Sequence, residues 1–225
     1  MKDELIVKSK PKSTISEDIR TIRTNLEFIL SDIEKSKVIM LTSSVPGEGK
    51  SFISSNLSVA FSQNEKRVLL IDCDMRLGRL HKVFDLSNKF GLSNLIIRYS
   101  PSLKFEEYIQ KTDVRNLYVL TRGIVPPNPS ELLSSKKFET ILNKLKMIFD
   151  YIILDSVPTN GLPDALVLSK LADRVIIVSK YGSTNVEDLN NAKKSLENVE
   201  ANIAGIVINK VPKSRSKYGN YYYSE

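Results

Sequence analysis

Six short runs of nearly uninterrupted apolar residues punctuate the chain, and polar residues return at helical intervals between them. The runs are "KVIMLTS" (37–43), "RVLLIDC" (67–73), "NLYVLT" (116–121), "YIILDS" (151–156), "RVIIVS" (174–179) and "IAGIVIN" (203–209). A strand with one wet face alternates apolar and polar residues, whereas a continuous apolar run marks a strand buried on both faces. The stretches between them predict helices over about 15–34, 50–63, 130–148, 164–171 and 186–199. Alternation of strand and helix predicts an α/β fold, a doubly wound and mostly parallel sheet with flanking helices. Such sheets place their ligands at the carboxyl ends of the strands. No repeat or linker divides the chain, so residues 1–211 read as one domain. Residues 212–225, "PKSRSKYGNYYYSE", have few aliphatic side chains and read as a mobile tail.

Composition narrows the picture only slightly. A chain of 225 residues with 41% hydrophobic and 26% charged residues can bury a full core without staples. The net charge of +7 comes with no dense Lys/Arg stripe, so a nucleic-acid partner is not expected. Cys73 is the single cysteine, which excludes an internal disulfide and suits a reducing cytoplasm. No apolar run approaches the length of a membrane span, and "MKDELIVKSK" lacks the apolar stretch of a signal peptide, so a soluble, cytoplasmic chain is expected.

Candidate chemistry begins at "SSVPGEGKS", Ser43 to Ser51, between an apolar strand and a helical stretch. That is the setting a phosphate-binding loop requires. Pro46, Gly47, Glu48, Gly49, Lys50 and Ser51, with Phe52 behind them, form the expected nucleotide-binding segment. The two glycines let backbone N–H groups approach phosphate oxygens, and the helix N-terminus adds a favourable dipole. Lys50 is expected to reach the β- and γ-phosphates, and the Ser51 hydroxyl to ligate Mg²⁺. One position departs from G-x-x-x-x-G-K-[ST], because Ser44 stands where the pattern has glycine.

Two further strands end in acids. "VLLIDCDMR" carries Asp72 and Asp74, and "YIILDSVP" carries Asp155. In a doubly wound sheet these ends converge on the phosphate loop, where carboxylates hold Mg²⁺ directly or through water. Cys73 alternates away from its neighbours and reads as a core residue. Asn209 ends the last strand, positioned either to approach a nucleotide base or to cap a turn.

"PGEGKS", "LLIDCDMR" and "IILDSVP" resemble the Walker A, A′ and B motifs of the bacterial tyrosine kinases that control capsule and exopolysaccharide synthesis. "GRLHKVFDL", "GLSNLI" and "VPPNPSELLSS" (125–135) fit the same family. Partition and septum-positioning ATPases share the three motifs but carry an additional lysine where this chain has Val45. The resemblance implies a P-loop protein-tyrosine kinase using ATP and Mg²⁺. Lys50, Asp72, Asp74 and Asp155 would be catalytic, with Ser51, Asp74 and Asp155 around the metal and Asp72 accepting or orienting the tyrosine proton. The residues alone leave the three acids interchangeable.

Four of the nine tyrosines, Tyr218, Tyr221, Tyr222 and Tyr223, fall in the last eight positions. A core spreads its aromatic residues, so the resemblance makes this cluster the site of autophosphorylation. Near the other end, "TISEDIRTIRTNLEFIL" predicts an amphipathic helix, with Thr14 to Glu17 as a capping box. Its Glu17, Arg20 and Arg23 either pair along the helix or, as E-x-x-R-x-x-R in this family implies, join subunits into a ring, an octamer in family members. The resemblance also implies a membrane-spanning activator that recruits the kinase to the inner face of the cell membrane, and a cognate phosphotyrosine phosphatase. The competing reading is a partition-type ATPase that switches a dimer without a protein substrate.

Overall fold

The structure, a computed structural model, describes residues 4–34 and 36–212; the tyrosine cluster lies outside them. Seven strands form one sheet: β1 (Lys37–Ser43), β2 (Val68–Asp72), β3 (Gln110–Lys111), β4 (Leu117–Leu120), β5 (Tyr151–Asp155), β6 (Arg174–Lys180) and β7 (Ile203–Asn209). Their spatial order is β3-β4-β2-β5-β1-β6-β7, and every pair is parallel except the short β3 against β4. The expected doubly wound architecture is therefore the observed one.

Successive residues of each central strand feed opposite cores. Val38 and Met40 of β1 join one apolar cluster while Ile39 and Leu41 join the other, and Leu69 and Ile71 of β2 are split in the same way from Val68 and Leu70. One face is covered by α1 (Ile6–Ser9), α2 (Thr14–Ile29), α3 (Lys50–Ser62) and α4 (Leu80–Val83). The other is covered by α5 (Leu92–Arg98), α6 (Pro129–Leu133), α7 (Lys136–Leu145), α8 (Asp164–Ser169) and α9 (Val186–Asn198). Burial on both faces explains the unbroken apolar runs of β1, β2, β5 and β6, whereas β7, at the edge of the sheet, leaves Ile206 and Ile208 exposed despite a similar run.

Several local expectations need correction. The helix expected over 130–148 is two helices, because Ser135 turns extended and its hydroxyl accepts the Phe138 N–H, starting α7 afresh. The cap of α2 is Ser13 rather than Thr14, with its hydroxyl accepting the Ser16 N–H, and the helix stops at Ile29 rather than near 34. The apolar stripe of α2 is also only partly used: Ile19, Leu26 and Leu30 are buried, while Ile15 and Ile29 are exposed. Helix α5 was not expected, since "LSNLIIR" is too short to show a helical period, yet Leu92, Leu95 and Ile96 are fully buried.

Candidate active site

Parallel pairing brings three strand ends to one edge of the sheet. Leu41 of β1 is in register with Asp155 of β5, and Asp155 in turn with Asp72 of β2. The loop that leaves β1 two residues later brings Lys50 and Ser51 to Asp155. Its conformation depends on Gly47 at φ +81° and Gly49 at φ +101°, left-handed values that disfavour side-chain-bearing residues. At Gly49 a Cβ would also come within 2.0 Å of Asn209 Nδ2. Ser44, by contrast, is not among the residues with positive φ, so the departure from the loop pattern costs nothing in backbone strain.

Glu48 is the hidden brace of this loop. It is buried, and its Oε2 accepts from the Ser44 hydroxyl at 3.1 Å and the Val45 N–H at 3.0 Å. Its Oε1 accepts from Thr184 in the turn after β6, and its carbonyl accepts from Asn209 Nδ2 at 2.9 Å. Asn209 thus supports the loop from the end of β7; its own Oδ1 accepts the Lys210 N–H. The sequence placed Glu48 and Asn209 in the nucleotide site but gave no sign of Thr184, whose partner Glu48 lies 136 residues away in the chain.

Lys50 and Ser51 open α3, where the first N–H groups of the helix have no intrahelical acceptor. Lys50 is buried, with Nζ donating to Ser43 Oγ at 3.0 Å. Burial lowers its pKa, and Asp155, Asp74 and Glu48 nearby oppose that shift. Phe52 is half-buried and packs against the apolar cluster on the α3 side of the sheet.

The acids differ in setting. Asp155 is buried and its pKa is raised to about 6, first by burial; hydrogen bonding from Ser51 and the Lys50 charge oppose the rise. Asp72 is fully buried and pushed well above the usual carboxylate range by burial and then by Asp155. Its Oδ2 accepts the Leu80 N–H at 3.0 Å. Asp74 is half-buried, and its Oδ1 accepts the N–H groups of Arg76 and Leu77, fixing the turn after β2. Arg122 clamps the same turn through the carbonyls of Met75 and Arg76. One oxygen each of Asp72 and Asp155 is buried without a hydrogen-bond partner.

These observations fit a magnesium nucleotide. The donors are hard oxygens, two of them orphaned, beside a loop shaped for phosphate. Among the described residues no group of three or more His, Cys, Asp or Glu forms a metal cage. Mg²⁺ does not require one, since it is usually held by one or two carboxylates together with waters and substrate phosphates. Asp74, Asp155 and Ser51 would hold it here. A separate cleft of about 390 Å³ beside Leu133, Pro163 and Leu166 contains none of these residues.

Glu17, Arg20 and Arg23 lie outside the site, on α2. Arg20 pairs with Glu17 at 2.5 Å, and Arg23 donates to the Ala60 carbonyl of α3 at 3.0 Å while standing 3.9 Å from Glu27. Among the described residues no helix is long and apolar enough to cross a membrane.

Loop, strand-end acids and sheet order together define a P-loop nucleotide-binding protein of the Walker A, A′ and B type. The AAA domain family matches residues 36–208. The "Putative tyrosine-protein kinase CapB" of Staphylococcus aureus is 40% identical over 98% of this chain and 95% of its own length. The "Tyrosine-protein kinase YwqD" of Bacillus subtilis (strain 168) is 39% identical over 98% of this chain and 92% of its own. The crystal structure of the chimerical protein CapA2B2 superposes with a TM-score of 0.87 at 37% identity, covering 93% of this chain and 90% of that one. The chain belongs to the family of bacterial tyrosine kinases associated with capsule synthesis.

Proposed function

We propose that the protein is an ATP- and Mg²⁺-dependent protein-tyrosine autokinase that phosphorylates the tail tyrosines Tyr218, Tyr221, Tyr222 and Tyr223 of neighbouring subunits and thereby regulates capsule or exopolysaccharide synthesis. The observation that carries this reading is the convergence of Lys50 and Ser51 with buried Asp72 and Asp155 at adjacent strand ends, in a chain so similar to named tyrosine kinases. The loop amides and Lys50 bind and orient the phosphates, and the braced loop holds that geometry. Mg²⁺, when bound, supplies positive charge that neutralises phosphate oxygens. A strand-end carboxylate takes or orients the tyrosine proton. Asp72 is the residue assigned that task, since it is buried at its strand end, held by the Leu80 N–H through Oδ2 and left with Oδ1 unpartnered.

Transfer in trans requires neighbours, and we assign Glu17, Arg20 and Arg23 to a homo-oligomeric ring. Each phosphate adds about −1.5 to −2 charge near neutral pH, so several on adjacent tails would repel and loosen the ring. A membrane-spanning activator would draw the kinase to the inner face of the membrane, and a phosphotyrosine phosphatase would reset the tail. The solved relative CapA2B2 is a chimera, which supports a second polypeptide as partner.

The test is incubation with ATP and Mg²⁺, with and without the activator's cytoplasmic segment, followed by mapping of phosphotyrosine by mass spectrometry. Phosphate is expected on the tail of the wild type and on neither Lys50→Ala nor a chain ending at Lys217. A tail without phosphotyrosine under activating conditions would sink the reading.

A further inference from the structure

Asp164, the first residue of α8, is fully buried and sits where three segments meet. Its Oδ1 accepts from the Ser130 hydroxyl of α6. The Arg76 guanidinium, arriving from the turn after β2, stands 3.4 Å from each carboxylate oxygen through Nη2. Asp164 Oδ2 has no hydrogen bond. A buried carboxylate with an unused oxygen is costly unless a cation balances it, and Arg76 is the cation present.

The two ends of Arg76 are held very differently. Its backbone is fixed on both sides, with the N–H donated to Asp74 Oδ1 at 3.1 Å and the carbonyl accepting from Arg122 Nη1 at 2.9 Å. Its guanidinium is more than one-third exposed and, among the described residues, touches only Asp164 at the long end of hydrogen-bond distance. An arginine with a rigid foot and a loosely held tip therefore stands two residues from Asp74 and four from Asp72. At the centre of the site Lys50 faces three carboxylates, and phosphate groups add more negative charge. Phosphoryl transfer is accelerated by preorganised cations aimed at that charge.

We propose that Arg76 is a second cation of the phosphoryl-transfer site and that Asp164 is its positioning residue, holding the guanidinium against the start of α8 until phosphate oxygens compete for it. This rests on the phosphoryl-transfer reading above. During transfer the γ-phosphorus–oxygen bond to ADP breaks and a bond to the acceptor oxygen forms. The acceptor proton goes to a strand-end carboxylate. Arg76 contributes charge and forms no bond.

The experiment uses the full chain in five forms: wild type, Arg76→Ala, Arg76→Lys, Asp164→Asn and the Arg76→Ala/Asp164→Asn double variant. Phosphotyrosine and free phosphate are both quantified under activating conditions, and Mg²⁺-ADP affinity is measured with and without aluminium fluoride, a mimic of the transferring group. Arg76→Ala is expected to lower total phosphoryl turnover by about 100-fold or more, keep Mg²⁺-ADP affinity within threefold, and lose the tightening caused by aluminium fluoride. Arg76→Lys should recover part of both losses. Asp164→Asn should lower turnover about tenfold with little change in the KM for ATP, and add nothing to Arg76→Ala in the double variant. Because Arg76 is exposed, its variants test the proposal even where Asp164→Asn fails to fold. Turnover within threefold of wild type, or retained aluminium fluoride tightening, in Arg76→Ala would overturn it. Wild type that releases phosphate without forming phosphotyrosine would sink the kinase reading alone, while turnover by neither route would overturn both.

Discussion

Asp72 and Asp155 are register partners at the ends of adjacent parallel strands, both buried, each with one oxygen that meets no hydrogen-bond donor. Burial opposes the ionisation of both, and a neighbouring carboxylate adds to it, Asp155 acting on Asp72 and Asp74 acting on Asp155. Both pKa values are accordingly raised, that of Asp155 to about 6. The pair is a cost of the nucleotide-free fold that a cation in the site would relieve.

The sign of the effect on stability follows directly. A carboxylate whose folded-state pKa lies above its unfolded value favours folding when protonated, so its contribution is full below about pH 4 and is lost as pH rises through about 6. A rise from 3.8 to about 6 corresponds to about 3 kcal/mol as an upper figure. Asp155→Asn is therefore expected to make the nucleotide-free protein more stable at pH 8, by about 1–3 kcal/mol, and to leave it little changed at pH 4. Urea unfolding at the two pH values checks this. Equal destabilisation at both would show that the Asp155 carboxylate is not strained.

The same linkage makes nucleotide binding pH-dependent. A divalent cation needs ionised ligands, so its binding must displace the proton on Asp155 below about pH 6. Mg²⁺-ADP affinity should rise about tenfold between pH 5 and pH 7, with proton release detectable by calorimetry in buffers of different ionisation enthalpy. In Asp155→Asn the affinity should be weaker and that part of the pH dependence absent. A wild-type affinity that is flat over this range would contradict the assignment of Asp155 to the metal.

Glu48 makes a different prediction, because it acts on shape rather than charge balance. Removing its side chain in Glu48→Ala leaves the Ser44 hydroxyl, the Val45 N–H and the Thr184 hydroxyl without their acceptor. Unsatisfied buried donors cost about 1–3 kcal/mol each, partly recovered by water. A loss of about 2–4 kcal/mol in stability and at least tenfold in nucleotide affinity is expected, with Glu48→Gln recovering part of each. Thr184→Val should weaken nucleotide binding in the same direction, since it severs the loop from the turn after β6. Unchanged affinity in both variants would mean that the brace does not set the loop.

What was legible in the sequence, and what was not, follows from the range of the interactions. Six of the seven strands and the doubly wound class were legible as apolar runs, while β3, two residues long, carries no pattern to read. The loop and the acids were legible because the chemistry fixes local spacing: Gly47, Gly49, Lys50 and Ser51 are neighbours, and Asp72 and Asp155 each end an apolar run. Helix α5 was hidden because seven residues hold fewer than two full turns of pattern. The Glu48–Thr184 and Arg76–Asp164 contacts were hidden because their partners lie 136 and 88 residues apart and obey no periodicity. The break before α7 turned on a single hydroxyl, that of Ser135, in a run whose polar residues looked helical throughout.

The motif on α2 is where the structure divides residues that the sequence grouped together. Arg23 is largely buried and committed within its own chain, donating to the Ala60 carbonyl. Arg20 pairs with Glu17 on the surface, an interaction typically worth no more than about 1 kcal/mol. Phe28 is 74% exposed on the same helix, with Ile15 and Ile29 also uncovered, an apolar surface that a neighbouring subunit would bury. Arg20→Ala and Phe28→Ser should therefore reduce the mass seen by sedimentation velocity while leaving the denaturation midpoint nearly unchanged. Arg23→Ala should lower stability by about 1–2 kcal/mol, through the carbonyl it abandons, whether or not the ring persists. If Arg20→Ala and Phe28→Ser both sediment as wild type under conditions where wild type is oligomeric, α2 is not the ring interface, and Arg23 is held in place by the core it caps rather than by a neighbour.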